Sequence, residues 1–291
     1  MMTEASIDLS IIIPHRDTPK LLNRLLDSIP LLSNIEVIVV DNSVESLQRT
    51  DLTRSAIILY SDLNGGAGRA RNIGIDAANG RWLLFADADD YFVEDAFNEI
   101  SNYTSSLCDI IYFEMESIND LTGEWANRGD LYTRLVQDYL QDARNELNLR
   151  LRFDSPCSKL ISKAFIEKYK LRYDECVTAN DVFFSISSGY FAKSVQAVSF
   201  PLYVATESSN SLTKRADYVA LKSRLLVQLK VNSFFKKNGL PEYQQSVAYY
   251  LYKSFSFGPH SFFQFLFYVL KAKQNPFVGY KNWIKTLNKN S

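Results

Sequence analysis

Short apolar runs alternate with helical stretches through the first 92 residues, and that alternation restricts the fold more than any other feature of the chain. Ile7 to Ile13 is a β-branched apolar run closed by Pro14. It lacks polar alternation, the signature of a parallel strand covered on both faces. Thr18-Pro19 opens a helix with proline at the first helical position, and Leu21, Leu22, Leu25, Leu26 and Ile29 follow at helical spacing. Ile35 to Val40 reads as a second strand and Ala56 to Tyr60 as a third. Asn64-Gly65-Gly66 leads into a helix from Ala67 to Ala78, and Arg81 to Ala86 is the fourth strand. The order β-α-β-α-β-α-β predicts an open parallel sheet with right-handed crossovers.

In such sheets ligands bind beyond the carboxyl ends of the strands. Those ends read Pro14-His15-Arg16-Asp17, Asp41-Asn42-Ser43, Asn64-Gly65-Gly66 and Asp87-Ala88-Asp89-Asp90. The last is the most distinctive, because the run Trp82 to Ala86 ends in three carboxylates within four residues. Clustered aspartates build a poor core and a good seat for a divalent cation, since Mg²⁺ and Mn²⁺ prefer carboxylate oxygens. The competing reading is a solvated turn that caps the next helix, for which aspartate is equally suited. Asp-x-Asp-Asp alone does not separate the two.

Further on, Val93 to Tyr103 reads as a helix, Asp109 to Glu116 as a strand and Asp120 to Gly123 as a hairpin turn. A helix over Leu131 to Leu147, a strand over Pro156 to Ser162 and a short helix over Ala164 to Tyr169 follow. A loop then runs to Asp181, a helix spans Asp181 to Phe191, and Val195 to Ala205 is extended. Ser208 to Ser211 is a loop. From Ala216 the chain reads as three or four helices, broken at Asn238-Gly239-Leu240-Pro241, Gly258-Pro259 and Asn275-Pro276.

The 291 residues suffice for one large domain or a domain with an appendage. A net charge of −1 gives no overall basic field for nucleic acid, so no nucleic-acid partner is expected. Three cysteines at wide spacing, Cys108, Cys157 and Cys176, fit a reducing compartment better than a disulfide framework or a zinc site. The N-terminus shows no signal-peptide pattern. The uncharged stretch Ser254 to Leu270 is shorter than the roughly 20 apolar residues of a spanning helix. The expectation is therefore a cytoplasmic protein, with attachment to the inner face of the cell membrane left open.

Five motifs then fall into register: Ile11-Ile12-Ile13-Pro14, Val39-Val40-Asp41-Asn42-Ser43, Asn64-x-Gly66-x-x-x-Ala70-Arg71-Asn72-x-Gly74, Ala78-x-Gly80 and Phe85-x-Asp87-x-Asp89-Asp90. In order and spacing they resemble the nucleotide-sugar-dependent inverting glycosyltransferases of family 2, which have the GT-A fold. The resemblance is strong over residues 7–92. It continues more weakly through Cys157-Ser-Lys-Leu160, Asn180-Asp181-x-x-Phe184 and Pro201-Leu202-Tyr203 to Thr213. It implies an α/β GT-A domain over residues 1–213, a mostly parallel open sheet flanked by helices, with an α-helical C-terminal extension over 214–291.

The resemblance also implies roles. Asp89 would bind Mn²⁺ or Mg²⁺, with Asp87 and Ala88 beside it facing the ribose or assisting the metal. Asp90 would cap the next helix or orient its neighbours. Asp41 would read the nucleobase, and a carboxylate suits the uracil N3–H, so the donor is expected to be a UDP-sugar. Pro14 and His15 would line the base pocket. Arg16 stands where the family often has a stacking aromatic, and its planar guanidinium can stack on a base instead. Gly66 would open the helix beneath the sugar nucleotide, and Arg71 would point towards the donor, pair with the aspartates, or do both. A dinucleotide-binding reading of Gly66-x-Gly68 fails, because Arg71 fills the third glycine position and this is the third strand.

Asp181 would be the general base that removes the proton of the acceptor hydroxyl, a role worth about 10²–10⁴-fold; the plain alternative is a helix N-cap. The expected enzyme is thus a hexosyltransferase-type transferase acting on a glycan or lipid-linked glycan in bacterial surface polysaccharide synthesis. A nucleotidyltransferase competes poorly, since Pro14-His15-Arg16-Asp17 lacks the glycine-rich loop that class needs. A non-catalytic sugar-nucleotide or glycan-binding protein is the alternative outside enzymes. Lys214-Arg215 is expected to be solvated, and His260 to serve packing. The aromatic C-terminal region, Tyr249 to Tyr268 with Lys271, Lys273, Lys281, Lys285 and Lys289, is left between a helical core, a homodimer interface and a membrane-facing surface.

Overall fold

A computed structural model describes residues 6–63, 65–207 and 216–278. They divide into two compact units, Met1–Glu175 with Phe184–Ser209, and Cys176–Phe183 with Asn210–Ser291. Asn64, the loop expected over Ser208 to Ser211, Lys214, Arg215, Lys281, Lys285 and Lys289 lie outside the described residues.

The first unit is built on one eight-stranded sheet. Its parallel part is β1 (Leu9–His15), β2 (Ile35–Asp41), β3 (Ile57–Tyr60) and β4 (Trp82–Phe85), with β1 between β2 and β4 and β3 at the edge. Beyond β4 come β7 (Lys159–Ser162), β6 (Ile110–Asn119), β8 (Val195–Glu207) and β5 (Tyr91–Phe92). β7 runs antiparallel to both neighbours, β6 and β8 are parallel, and β5 is antiparallel to β8. The sheet is therefore mixed in its second half.

The unbroken apolar runs have the predicted cause. Ile11, Ile13, Val37, Val39 and Leu84 enter one hydrophobic cluster with Leu22, Leu25 and Leu26 of α1 (Pro19–Asp27). Ile12, Ile38, Val40 and Phe85 enter a second with Ala70 and Ile75 of α2 (Gly66–Ala77). Successive strand residues point to opposite faces, so both faces must be apolar when helices cover both. At the amino ends of the strands, Ser10 Oγ donates to Glu36 Oε1 at 2.5 Å, and the Asn79 N–H donates to the same oxygen at 2.5 Å. The Gly80 N–H donates to Ser10 Oγ at 2.7 Å. A Cβ on Gly80 would stand 2.5 Å from the Ser10 backbone nitrogen, so strand and turn meet there without room for a side chain.

Several segments depart from the sequence expectation. The helix expected over Val93 to Tyr103 is α3 (Ala96–Ser101), because Tyr91-Phe92 pairs with β8 and Asp95 takes a left-handed φ of 64°. The helix expected over Leu131 to Leu147 divides into α4 (Asp130–Gln141) and α5 (Glu146–Arg152). Asp142 breaks it with extended backbone, and its side chain accepts from the Arg144 N–H. β6 and β8 run further than expected because they pair along their lengths, with a register shift at Glu114 opposite Pro201. Proline cannot donate to the ladder, so an irregularity there is its natural place. α6 (Lys163–Tyr169) and α7 (Val182–Phe191) complete the helices up to β8.

The second unit holds α8 (Tyr218–Lys237), α9 (Ala248–Ser254) and α10 (Pro259–Lys271) around Leu221, Leu225, Leu229, Val247, Leu251, Phe265 and Val269. The breaks fall at Asn238-Gly239-Leu240-Pro241 and at Gly258, whose φ is 95°. The segment Cys176–Phe183 belongs here: Thr178 Oγ1 donates to the Ala220 carbonyl at 3.1 Å, and Ser223 Oγ donates to the Thr178 carbonyl at 2.9 Å. Among the described residues, no helix is long and apolar enough to cross a membrane.

Candidate active site

β1 and β2 are in register at their carboxyl ends, with His15 opposite Asp41. Both side chains are buried, and His15 Nδ1 lies 2.8 Å from Asp41 Oδ1. Ser43 Oγ donates to Asp41 Oδ1 at 2.6 Å, and the Leu47 N–H donates to Oδ2 at 2.8 Å. Burial alone would raise the Asp41 pKa, but donation from Leu47, Ser43 and His15 outweighs it and lowers the pKa below its ordinary value. A carboxylate so supplied with donors organises the turn from Asn42 to Leu47. Next to it Pro14 is half-buried, while the Arg16 side chain is 56% exposed and paired with Asp17 at 3.4 Å.

β4 delivers its acids differently. Asp87 and Asp89 are half-buried, and Ala88 and Asp90 between and after them are buried. Arg71, on α2 and nearly inaccessible, reaches Asp87 with Nη2 at 2.5 Å from Oδ1, and its guanidinium lies 5.2 Å from the Tyr173 ring. Gly66 starts this helix with a φ of 64°, the backbone value that favours glycine. Asp90 is not a helix cap. Tyr203 Oη donates to its Oδ2 at 2.8 Å, and the Thr206 N–H donates to Oδ1 at 2.7 Å, so it ties the acidic turn to β8. Burial and the charges of Asp89 and Asp87 push the Asp90 pKa well up. Burial and the charge of Asp87 raise that of Asp89.

Residues remote in sequence complete the cluster, and no local pattern marks them. Arg24 of α1 donates to the Asp89 carbonyl and pairs with Asp120 at 2.7 Å. Thr206 Oγ1 donates to the same carbonyl at 2.7 Å. The Asp87 N–H donates to Tyr203 Oη at 2.8 Å. Arg128 stays protonated because the charges of Asp90 and Asp87 outweigh its burial. The Cys157 thiol is buried in the same surroundings, and burial with the charges of Asp87 and Asp90 holds it neutral. A depression of about 380 Å³ elsewhere, lined by Leu31, Leu32, Arg49 and Arg54, lies at the amino ends of the strands and includes none of these residues.

Among the described residues, no three carboxylate, imidazole or thiolate groups converge on one point, so these residues build no closed metal cage. Two half-buried carboxylates with one residue between them, Asp87 and Asp89, still suit Mg²⁺ or Mn²⁺, which keep most positions for waters and phosphate oxygens. Asp181, half-buried, directly precedes α7 in the segment that groups with the C-terminal helices.

The sheet order, the helices on both faces and the acids at a parallel strand end define an open α/β class whose ligand crevice lies beyond the carboxyl ends of the strands. The profile of glycosyl transferase family 2 matches residues 10–170, and the chain belongs to that family. EpsH of Bacillus subtilis (strain 168), provisionally named a glycosyltransferase, is 25% identical over 230 residues, 74% of this chain and 65% of EpsH. The poly(ribitol-phosphate) beta-N-acetylglucosaminyltransferase TarS of Staphylococcus aureus (strain Mu50 / ATCC 700699) is 24% identical over 209 residues, 67% of this chain and 34% of TarS. The chain thus spans under two thirds of either relative. The crystal structure of TarS residues 1–349 superposes with a TM-score of 0.59 at 20% identity, covering 87% of this chain and 73% of that one. TarS 1–349 has also been solved in complex with UDP-GlcNAc and with UDP. The architecture is therefore the GT-A fold expected from the sequence.

Proposed function

We propose that the chain is a metal-dependent inverting glycosyltransferase that moves one sugar from a UDP-sugar to a hydroxyl on a growing glycan. The observation that carries this reading is the half-open pair Asp87 and Asp89 at the end of β4, beside the buried Arg71, in a family 2 chain. The UDP-GlcNAc complex of the TarS fold relative supports the choice of nucleotide.

Asp89, with Asp87 beside it, would hold Mn²⁺ or Mg²⁺, whose charge would stabilise the departing diphosphate. Arg71 fixes Asp87, while Arg128 and Arg24 temper the repulsion within the acidic turn. At the other strand end, Asp41 already accepts from Ser43, Leu47 and His15. Its part in base recognition is therefore to hold His15 and the 42–47 turn in place, with Pro14 shaping the pocket and the exposed Arg16 free to lie on the base. Asp181 takes the proton of the acceptor hydroxyl while that oxygen attacks the anomeric carbon. The bond to the nucleoside diphosphate breaks on the opposite side, which inverts the centre. The acceptor is a glycan or lipid-linked glycan of a bacterial surface polysaccharide, a reading supported by the polymer-glycosylating name of TarS.

Calorimetric titration with UDP, GDP and dTDP, with Mn²⁺ and then with EDTA, tests the donor site. UDP should bind selectively and lose most of its affinity with EDTA; binding indifferent to metal and base would overturn the reading. Asp181→Asn should lower transfer by about 10²–10⁴-fold with the UDP affinity unchanged. Parallel loss of both would remove Asp181 from the role of base.

A further inference from the structure

The aromatic surface of the second unit has an exposed side that its own core does not use. On α10, Phe263, Phe267 and Leu270 recur at helical spacing and are 65%, 57% and 63% exposed, while Ser261, Phe265 and Val269 of the same helix are buried. The patch continues onto the preceding turns. Phe255 stacks on Phe262 with ring centres 4.2 Å apart, Phe262 meets Phe263 at 5.6 Å, and Tyr252 of α9 is 72% exposed. Lys253, Lys271 and Lys273, also exposed, flank these residues in the sequence, next to Tyr252 and Leu270.

Charge is segregated to match. Residues 216–291 contain eleven lysines and arginines against two acidic residues, while residues 1–215 contain twenty-one against thirty-one. A net charge of −1 conceals a C-terminal part at +9 and an N-terminal part at −10. Past the described residues, the sequence repeats the pattern in Tyr280, Trp283, Ile284 and Leu287 interleaved with Lys281, Lys285 and Lys289.

We propose that the outer faces of α9 and α10 dock on an anionic lipid bilayer, with the rings at headgroup depth and the lysines on the acidic headgroups. Aromatic side chains beside lysines are the composition of surfaces that lie in a bilayer interface, and each lysine near acidic lipid adds attraction that salt weakens. A two-fold dimer through the same face is disfavoured, since a self-matching interface would bring the three lysines of each copy together. The proposal stands on the helices alone and does not depend on the donor-site reading.

The full chain would be sedimented with vesicles of phosphatidylcholine, alone or with phosphatidylglycerol, at low and high NaCl. Binding should require phosphatidylglycerol and fall at high salt. Phe263→Ser with Phe267→Ser, and separately Lys253→Glu with Lys271→Glu and Lys273→Glu, should each weaken it by about tenfold or more. UDP binding and melting temperature should stay at wild-type values, because the altered side chains are exposed. No binding to anionic vesicles, equal binding to neutral ones, or variants that bind like wild type would overturn the proposal. So would a wild-type dimer, seen by sedimentation velocity, that the Phe263/Phe267 variant converts to monomer.

Discussion

Asp41 and Asp89 stand at the carboxyl ends of parallel strands on either side of β1, yet their surroundings differ in kind. Asp41 is supplied with donors from His15, Ser43 and Leu47, and its pKa is lowered. Asp89 sits half-buried next to Asp87 and Asp90, with its pKa raised by burial and by like charge. The first arrangement stabilises the fold, because a buried acceptor with several donors is satisfied. The second costs the fold something, since like charges are held together in a site of restricted solvent access. Local conflicts of that sort are where function is to be looked for.

The contrast breaks most readily at Asp41. Asp41→Ala strands His15, Ser43 and the Leu47 N–H in a buried place and should cost about 3–5 kcal/mol in urea unfolding. A loss under about 1 kcal/mol, the scale of an ordinary hydrogen bond, would mean that the turn is held by something else. Asp89→Asn should do the reverse, lowering Mn²⁺ affinity by about tenfold or more and leaving stability within about 0.5 kcal/mol of wild type. An unfolded Asp89→Asn protein would make that residue structural and erase the distinction. The smallest effect is in acid. Because the folded-state pKa of Asp41 lies below its ordinary 3.8, its contribution is present above that value and is lost as pH falls through the folded pKa. Melting temperature should drop more steeply below pH 4 in wild type than in Asp41→Asn, while equal slopes would assign acid sensitivity to other carboxylates.

How much of this was legible in sequence follows from how locally each part is encoded. β1 to β4 announce themselves through unbroken apolar runs, because both of their faces are covered. β5 does not: two residues form a strand only because β8 lies beside them. The interruption at Asp142 was equally hidden, since the leucines on either side keep helical spacing across it. In the candidate site, Asp87, Asp89 and Arg71 belong to short motifs. Arg24, Arg128, Tyr203 and Thr206 enter from elements 38 to 117 residues from the acids they meet, and nothing near them in sequence signals the meeting. The sequence also presented Asp41 as a reader of the nucleobase, without showing that His15 and the following turn would already occupy its oxygens.

The hydrogen-bonded knot of Ser10, Glu36 and Gly80 lies at the far end of the same three strands from these acids. It pins β2 and β4 to β1, and thereby settles how far each strand carries its aspartate beyond the sheet edge. A slip of one residue would move a strand end by about 3.3 Å and turn its side chains to the opposite face. The knot therefore works as an alignment stop, calibrating the spacing between the two acidic ends without touching either. An engineer who varied only the residues around the proposed donor site would leave that calibration intact, whereas a single methyl group added at Gly80 would disturb both ends together.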